Sequence, residues 1–236
     1  MSQERYTHYP RAILWLVRGG EVRVGDPQAD AQPAFMARVE SFYLSKTPIT
    51  NRQYEAFDPD RQRVPASAGD DDPAVGIAFR DACRYCEWYA GVSRKPIRLP
   101  TEIEWEYACR GGSAARCFYG DDPSGSDDHA WHVENSDGKL RPLGEKRPNP
   151  FGLLGMLGGV WEWTSSLHRP YPLAQDGQDD LETPGRRVLR GGSFRQPRAS
   201  LGCGVRLGAE PDLRRDDVGF RIARGFEPAG PAKSAR

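Results

Sequence analysis

Apolar and polar residues alternate near the amino terminus of the chain, which is the period of β-strands. Residues 13–24 alternate on either side of Gly19 and Gly20, so this segment predicts a β-hairpin. Residues 35–44 predict a further strand. Residues 1–10 carry no such pattern and are expected to form a flexible arm. The first part of the chain is therefore predicted to be mainly β-structure.

Three segments in the middle of the chain change to a helical period. Two of them begin with a capping box, in which a threonine and a residue three positions later bond to each other's backbone; the pairs are Thr50 with Gln53 and Thr101 with Glu104. The helix between these two is predicted over residues 79–89, ending near Gly91. The third helix is expected to stop at Gly111 and Gly112. Three helices are thus predicted.

Beyond residue 112 the sequence predicts only short strands between long loops. The 26 Gly and 20 Pro residues among 236 suit a loop-rich domain, and six Trp residues argue against disorder. Residues 11–225 show no shift in composition and are predicted to form a single domain. Residues 226–236 are low in apolar content and are predicted to be a disordered tail.

Charge and hydropathy exclude several classes of partner. The 33 basic residues balance 33 acidic ones, so no net field favours nucleic acid as a partner. The longest apolar run, residues 12–17, is too short to span a bilayer, and no secretory signal is recognisable. We therefore expect no membrane partner and a cytoplasmic location, where the five cysteines would stay mostly reduced.

Four short motifs carry most of the remaining information. They are Arg-Leu-Pro-Thr-Glu at 98–102, Gly-Val-Trp-Glu-Trp at 159–163, Arg-Gly-Gly-Ser at 190–193 and Gly-Phe-Arg at 219–221. In this order they resemble the formylglycine-generating enzyme family, also called sulfatase-modifying factors. The resemblance implies an α+β fold of the C-type-lectin type. Such a fold has short twisted antiparallel sheets, two or three helices and many loops.

The oxidases of that family carry two cysteines just after the Arg-Gly-Gly-Ser motif, where they bind copper and activate oxygen. Counted from Ser193, these positions fall near Gln196 and Leu201, neither of which can bind a soft metal. Cys203 is the one thiol in the stretch and the single weak catalytic candidate. The resemblance suggests instead that Cys203 is a structural cysteine close to Cys109. Copper is therefore not expected as a cofactor.

Calcium is the other metal that the resemblance implies. Relatives carry Asp or Asn at the position of Gly155, a calcium ligand, and Asn at the position of Gly159. The ligands left in this chain are the carboxylate of Glu162 and the backbone carbonyls of Gly158 and Val160. Because calcium prefers six to eight oxygen ligands, we expect a weakened or empty site.

Two further clusters have competing interpretations. His129 and His132 lie between acidic residues and could hold zinc or iron, but in a strand residues three apart face opposite sides, so a solvated loop is the alternative. Cys83 and Cys86 are expected on one face of a helix. Core packing is favoured there over a metal or redox pair, because free cysteine is commonly a small buried apolar group.

These observations leave three candidate functions. The first is a catalytically degenerate module that binds a protein or small-molecule ligand. Variable proteins of diversity-generating retroelements resemble its final third, where exposed positions capture ligands; here these include Arg195, Gln196, Val205, Leu207, Glu210, Leu213, Arg215 and Asp217. The second is an oxidative maturation enzyme acting through another metal on a protein or natural product. The third is a formylglycine oxidase that recruits Cys203 and another thiol. The lost thiols and the lost calcium ligand favour the first.

Overall fold

The computed structural model describes residues 11–26, 31–173 and 180–227, which form an α+β fold. The helices are α1 (Asn51–Glu55), α2 (Phe79–Ser93), α3 (Glu102–Arg110) and α4 (Ser126–His129). The strands are β1 (Leu14–Val17), β2 (Gly20–Asp26), β3 (Ala31–Val39), β4 (Phe42–Ser45), β5 (Trp161–Leu167), β6 (Arg187–Arg190), β7 (Arg206–Ala209), β8 (Val218–Phe220) and β9 (Ala223–Gly225). Long loops and one-turn 3₁₀ helices connect these elements.

Three small sheets bring distant parts of the sequence together. The first has the strand order β1-β4-β9, so the first and last strands lie on either side of β4. Strands β2 and β3 form a separate antiparallel ribbon. The third sheet has the order β7-β6-β5-β8, in which only β5 and β8 are parallel. On β5, Glu162 lies opposite Arg190 on one side and Gly219 on the other, so three of the four motifs meet in this sheet.

The two predicted capping boxes are confirmed. The Thr50 backbone N–H donates to the Gln53 side chain at 3.0 Å, and the Thr101 backbone N–H donates to Glu104 at 2.9 Å. The third helix ends at Gly111, which is left-handed with a φ of 55°. Helix α2 continues to Ser93, two residues past Gly91, so the predicted end was too early.

The predicted hairpin over residues 13–24 is wrong. Strand β1 pairs with β4, whereas β2 pairs with β3, so the two halves of the segment belong to different sheets. A Cβ on Gly19 would lie 2.4 Å from the Val39 carbonyl oxygen, so this glycine allows two backbones to approach closely. Residues 35–44 divide in the same way, because β3 and β4 also belong to different sheets.

Two hydrophobic clusters form most of the core. One surrounds α3 and the β2–β3 ribbon and contains Trp105. The other joins α2 to the third sheet, where the rings of Phe79 and Trp163 pack with centroids 5.8 Å apart. Helix α4 lies where no helix was predicted, because one turn is too short to show a helical period. Among the described residues, no helix is long and apolar enough to cross a bilayer.

Candidate functional site

The motif residues of the third sheet form buried ion pairs. Glu162 accepts hydrogen bonds from Arg221 at 2.8 Å and from the indole of Trp105 at 2.7 Å. The Arg221 guanidinium also donates to the backbone carbonyls of Ser45 and Leu154. All of these side chains are buried, and a buried charge needs such partners. Glu162 and Arg221 therefore hold the sheet to the loops around it.

A second buried network lies beside the first. Arg190 pairs with Glu102 and Glu106, each at 3.0 Å, and donates to the hydroxyl of Tyr171 at 2.7 Å. Arg206 pairs with the other oxygen of Glu102 at 3.0 Å. The arginine of the Arg-Gly-Gly-Ser motif is thus a structural residue, and it fixes where the chain emerges from β6.

The expected thiol positions lie directly after that point. The Gln196 side-chain oxygen accepts a hydrogen bond from the backbone of Ser193 at 3.2 Å, and Leu201 is buried. Both side chains close against Gly192: a Cβ there would lie 2.6 Å from Leu201 Cδ2 and 2.8 Å from Gln196 Oε1. An amide and an alkyl group at these two positions offer no soft donor, so Gln196 and Leu201 do not fit copper.

The remaining nearby thiols are sealed in the core. Cys109 and Cys203 are free thiols with their sulfur atoms 3.2 Å apart, which confirms the proximity that the sequence suggested. Both are buried, and burial raises the pKa of Cys109 well above its ordinary value. Burial also raises the pKa of the neighbouring Cys117 to about 11. Cys203 is fully buried beside them, which is a setting typical of a structural cysteine.

The implied calcium site is replaced by an apolar side chain. Gly155 and Gly159 have φ values of 62° and 66°. A Cβ on either glycine would lie 2.7 Å from a methyl group of Leu143, which itself is buried. Leu143 therefore occupies the space that side chains at both positions would need.

The other implied calcium ligands are also unsuited to the ion. Both Glu162 oxygens accept hydrogen bonds from Arg221, so this carboxylate is a counter-ion within the protein. Gly158 and Val160 are buried beside it and could contribute only carbonyls. Calcium requires several oxygens with anionic character, and the residues present here do not supply them.

The two candidate histidines do not converge on one point. His132 is buried, with one ring nitrogen 2.9 Å from Asp127 and the other 2.7 Å from Glu134. His129 instead stacks on the ring of Tyr119 at 5.3 Å. Among the described residues, no group of three or more His, Cys, Asp or Glu side chains could hold a metal ion. The predicted zinc or iron cluster is therefore not assembled.

The predicted ligand surface is formed only in part. Arg195 is exposed and pairs with Asp216 at 3.2 Å between Nε and Oδ1. Asp217 is buried and accepts hydrogen bonds from Arg215 and Ser193, so it supports the loops and does not face a ligand. The partly buried members pack on the core and expose only one side; they are Val205, Leu207 and Leu213. Glu210 is exposed.

Glu210 also lines a cleft of about 620 Å³ that sequence reasoning did not find. We call it the acidic cleft: it lies between α2, residues 210–214 and residues 181–182. Cys83 borders the cleft and is half-buried, whereas Cys86 is buried in the core. The two cysteines of the Cys-x-x-Cys motif therefore lie in different environments. The acids of this cleft come from three separate segments of the chain, so no local sequence motif could have predicted the cleft.

A larger cleft of about 690 Å³ lies between the β2–β3 ribbon and residues 112–116. Its inner charges are already paired: Arg116 meets Asp26 at 3.3 Å, and Arg110 meets Glu106 at 2.8 Å. The inner part of this cleft therefore offers a ligand little unsatisfied charge, and its other charged side chains, Glu21, Arg23 and Asp121, are exposed.

Comparison with known proteins shows the family and supports the fold. The family model described as the sulfatase-modifying factor enzyme 1-like domain matches residues 2–226. The formylglycine-generating enzyme of Streptomyces coelicolor is 30% identical, over 91% of this chain and 90% of its own length. The PvdO structure from Pseudomonas aeruginosa is 25% identical with a TM-score of 0.80, covering 90% of this chain and 94% of that one. Treponema denticola variable protein 1 shares the fold, with a TM-score of 0.80 at 20% identity over 89% and 94% of the two chains.

Proposed function

We propose that this chain, which belongs to the sulfatase-modifying factor enzyme 1-like family, is a binding module that has lost the copper chemistry of the family's oxidases. The observation that carries the proposal is the closure of Gln196 and Leu201 onto Gly192. The two positions expected to hold thiols have become part of the packing. The fold remains, and what it can offer a partner is its surface.

The sealed thiols support the same conclusion. A copper(I) oxidase of this kind needs two thiolates that can reach the metal and the substrate. Cys109 and Cys203 are close to each other but buried, and burial keeps the Cys109 pKa high. A formylglycine oxidase built on Cys203 would have to open the core first. A Cys203→Ser variant would lose any such activity. Oxidase activity that this substitution leaves unchanged would exclude a formylglycine oxidase built on Cys203.

The loops of the final third are well suited to presenting a surface. Buried bonds from Ser193 and Arg215 to Asp217 fix their backbone, while the ion pair between Arg195 and Asp216 lies outside. Exposed side chains on a fixed backbone can vary without unfolding the protein. This is the property that a ligand-binding surface needs.

Whether these positions are diversified by a retroelement is a separate question. The structure of the Treponema variable protein shows that such proteins share this fold, and at 20% identity it shows no more. A template repeat and a reverse transcriptase gene beside the coding sequence would support diversification. Their absence would leave the binding module as a fixed receptor.

Oxidative maturation of a protein or natural product is the second candidate. It is favoured by the full-length similarity to the Streptomyces enzyme and by the likeness to PvdO. Such an enzyme would need reactive groups other than the two family thiols. In the described residues, His129 and His132 point to different partners and supply no common site.

One experiment separates the two functions. The purified protein is analysed for bound metals, loaded with copper(I), and tested for oxygen uptake with a cysteine-containing sulfatase peptide. The matched variant carries Gln196→Cys and Leu201→Cys, which restores two thiols at the expected positions. We expect the parent protein to hold no stoichiometric copper and to consume no oxygen, and the double variant to gain copper binding. Peptide-dependent oxygen uptake by the parent would overturn the proposal.

A further inference from the structure

We propose that a cavity of about 470 Å³ beside α1 binds a carboxylate that is carried on a short apolar stem. We call this cavity the Arg61 pocket; it lies between residues 54–64, residues 75–77 and α2. Apart from Arg214, its lining lies outside the final third of the chain, which holds the predicted ligand surface. The inference therefore adds a second binding site and does not depend on the proposed function.

Arg61 is a half-buried cation whose contacts are all neutral groups. Its guanidinium donates to the side chain of Asn51 at 2.8 Å and to the carbonyl of Val75 at 2.5 Å, and it lies over the ring of Tyr54 at 5.1 Å. No Asp or Glu among the described residues forms an ion pair with it. Burial is the main influence on the pKa of Arg61 and lowers it. Because a charge removed from water is ordinarily paired, Arg61 is suited to an anionic ligand.

Tyr54 supplies a second donor to the same cavity. The residue is only 3% exposed, and its ring packs against those of Tyr85 and Phe220, with centroids 5.6 and 6.1 Å away. It lines the pocket, yet its hydroxyl makes no hydrogen bond to any residue that the structure describes. Burial, with Asp81 and Asp58 nearby, raises the pKa of Tyr54 to about 12, so the hydroxyl keeps its proton at neutral pH. A buried donor without a partner is costly, and an oxygen atom of a ligand would satisfy it.

The acids around Arg61 are mostly engaged with other residues. Both oxygens of Glu55 accept hydrogen bonds from Arg63, at 2.5 and 2.6 Å. Asp81 is shared between the two other arginines of the lining. These carboxylates are therefore not available to neutralise Arg61.

Asp58 limits the charge that the pocket can accept. It is half-buried, lines the cavity and forms no ion pair with the residues that the structure describes. One carboxylate can accept from both Arg61 and Tyr54, whereas a doubly charged phosphate would bring a second negative charge close to Asp58. The pocket therefore favours a ligand with a single negative charge.

The remaining walls suit a short apolar stem. Phe57, Val64 and Ile77 line the cavity between the charged groups. Ile77 is buried, whereas Phe57 and Val64 are half-buried and pack against the hydrophobic clusters. A branched alkyl group placed against these side chains would be removed from water, which favours binding.

Two sources could supply this chemistry, a free small acid or the carboxyl terminus of a polypeptide. The probes are therefore 4-methylpentanoate and N-acetyl-alanyl-leucine, and each is compared with its own neutral amide. Because one ion pair and one hydrogen bond would hold the carboxylate, we expect dissociation constants of roughly 0.1–1 mM. The acid that binds more tightly identifies the source.

Binding is measured by titrating isotope-labelled full-length protein and following backbone amide shifts by NMR. We expect saturable shifts in residues 54–64 and 75–77 with both acids, and no saturation with the amides. Inorganic phosphate should bind more weakly than either acid, because of its second charge.

Three variants test the site in two directions. Tyr54→Phe keeps the ring and removes a hydroxyl that has no partner among the described residues, so the fold should persist while affinity falls about three- to tenfold. Arg61→Gln should lower affinity about tenfold or more. Asp58→Asn removes the opposing charge and should raise affinity about twofold or more. Arg147→Gln, an exposed arginine outside the pocket, is the control and should leave affinity unchanged.

The outcomes separate this inference from the proposed function. Equal binding of acids and amides, or unchanged affinity in Tyr54→Phe and Arg61→Gln, would overturn the site, and phosphate binding tighter than both acids would overturn the carboxylate. If Arg61→Gln does not fold, Tyr54→Phe and Asp58→Asn still test the site, because their expected effects have opposite signs. The titrations involve neither copper nor oxygen, so the pocket can fail while the binding-module proposal stands. Peptide-dependent oxygen uptake would overturn the module and leave the pocket.

Discussion

The motif residues of the third sheet and the acids of the acidic cleft use the same chemical groups in opposite ways. Glu162 and Arg221 are buried and bonded to each other, whereas Glu87 and Asp212 are outside the core and unpaired among the described residues. The residues that make the family recognisable therefore stabilise the fold. The residues that could meet a partner belong to no motif, so recognising the family does not reveal the ligand.

Removing a buried charge should have the largest effect. Arg221→Ala leaves Glu162 charged in the core, so we expect the free energy of unfolding to fall by about 3–5 kcal/mol. Urea unfolding measures the change. Arg195→Ala is the matched control, because its exposed ion pair with Asp216 should contribute less than about 1 kcal/mol. Equal losses in the two variants would contradict the distinction, and Glu162→Gln provides a milder test if Arg221→Ala does not fold.

The apolar replacement of the calcium site comes next. Leu143→Ala creates a cavity beside Gly155 and Gly159, and we expect a loss of about 2–4 kcal/mol. Thermal unfolding of the parent protein should be the same with millimolar calcium and with a chelator. A clear rise in Tm with calcium would show that an ion, and not Leu143, holds this loop.

Asp81 should have a smaller, pH-dependent effect. Burial opposes its ionisation, but hydrogen bonds from Arg84 and Arg214 outweigh this and lower its pKa. The unfolded carboxyl titrates near about pH 4, so the stabilisation is present above that pH and is lost as pH falls through the lower folded pKa. Because both arginines are largely exposed, we expect Asp81→Asn to cost about 0.5–1 kcal/mol at neutral pH and progressively less as the pH falls below about 4. A difference that persists in acid would exclude the ion pair as its cause, and Asp60→Asn is the exposed control.

The cleft acids should have the smallest effect on stability. Glu87→Gln with Asp212→Asn should change the free energy of unfolding by less than about 0.5 kcal/mol, because neither side chain supports a neighbour. A large destabilisation would mean that these acids are structural and would weaken the comparison with the motif residues.

The sequence predicted best those features that depend on residues close together in the chain. The capping boxes at Thr50 and Thr101 involve residues three apart, so their bonds could be predicted without knowing the fold. The hairpin over residues 13–24 failed because β1 finds its partner in β4, and alternation alone does not identify a strand's neighbour. The overall fold came from the resemblance and not from such patterns.

Part of the candidate site could be anticipated from side-chain chemistry alone. Gln196 and Leu201 carry no soft metal donor in any fold, so the expectation that they do not bind copper needs no coordinates, and it stays a prediction. Leu143 could not have been connected with Gly155 from sequence, because the contact spans twelve positions of irregular loop. Asp217 appeared exposed in the sequence pattern, but its bonds to Ser193 and Arg215 place it inside. Non-local contacts decided each of these outcomes.

The placement of β9 against β4 has a consequence for synthesis of the protein. The amino-terminal sheet cannot be completed until the carboxyl-terminal strand has left the ribosome, and Arg221, which bonds to the carbonyls of Ser45 and Lys46, emerges just before it. Nascent chains must therefore protect an unfinished sheet edge until residues 223–225 have emerged. Ribosome-bound fragments ending before residue 217 should be sensitive to protease throughout, and protection should appear only once β9 has left the exit tunnel.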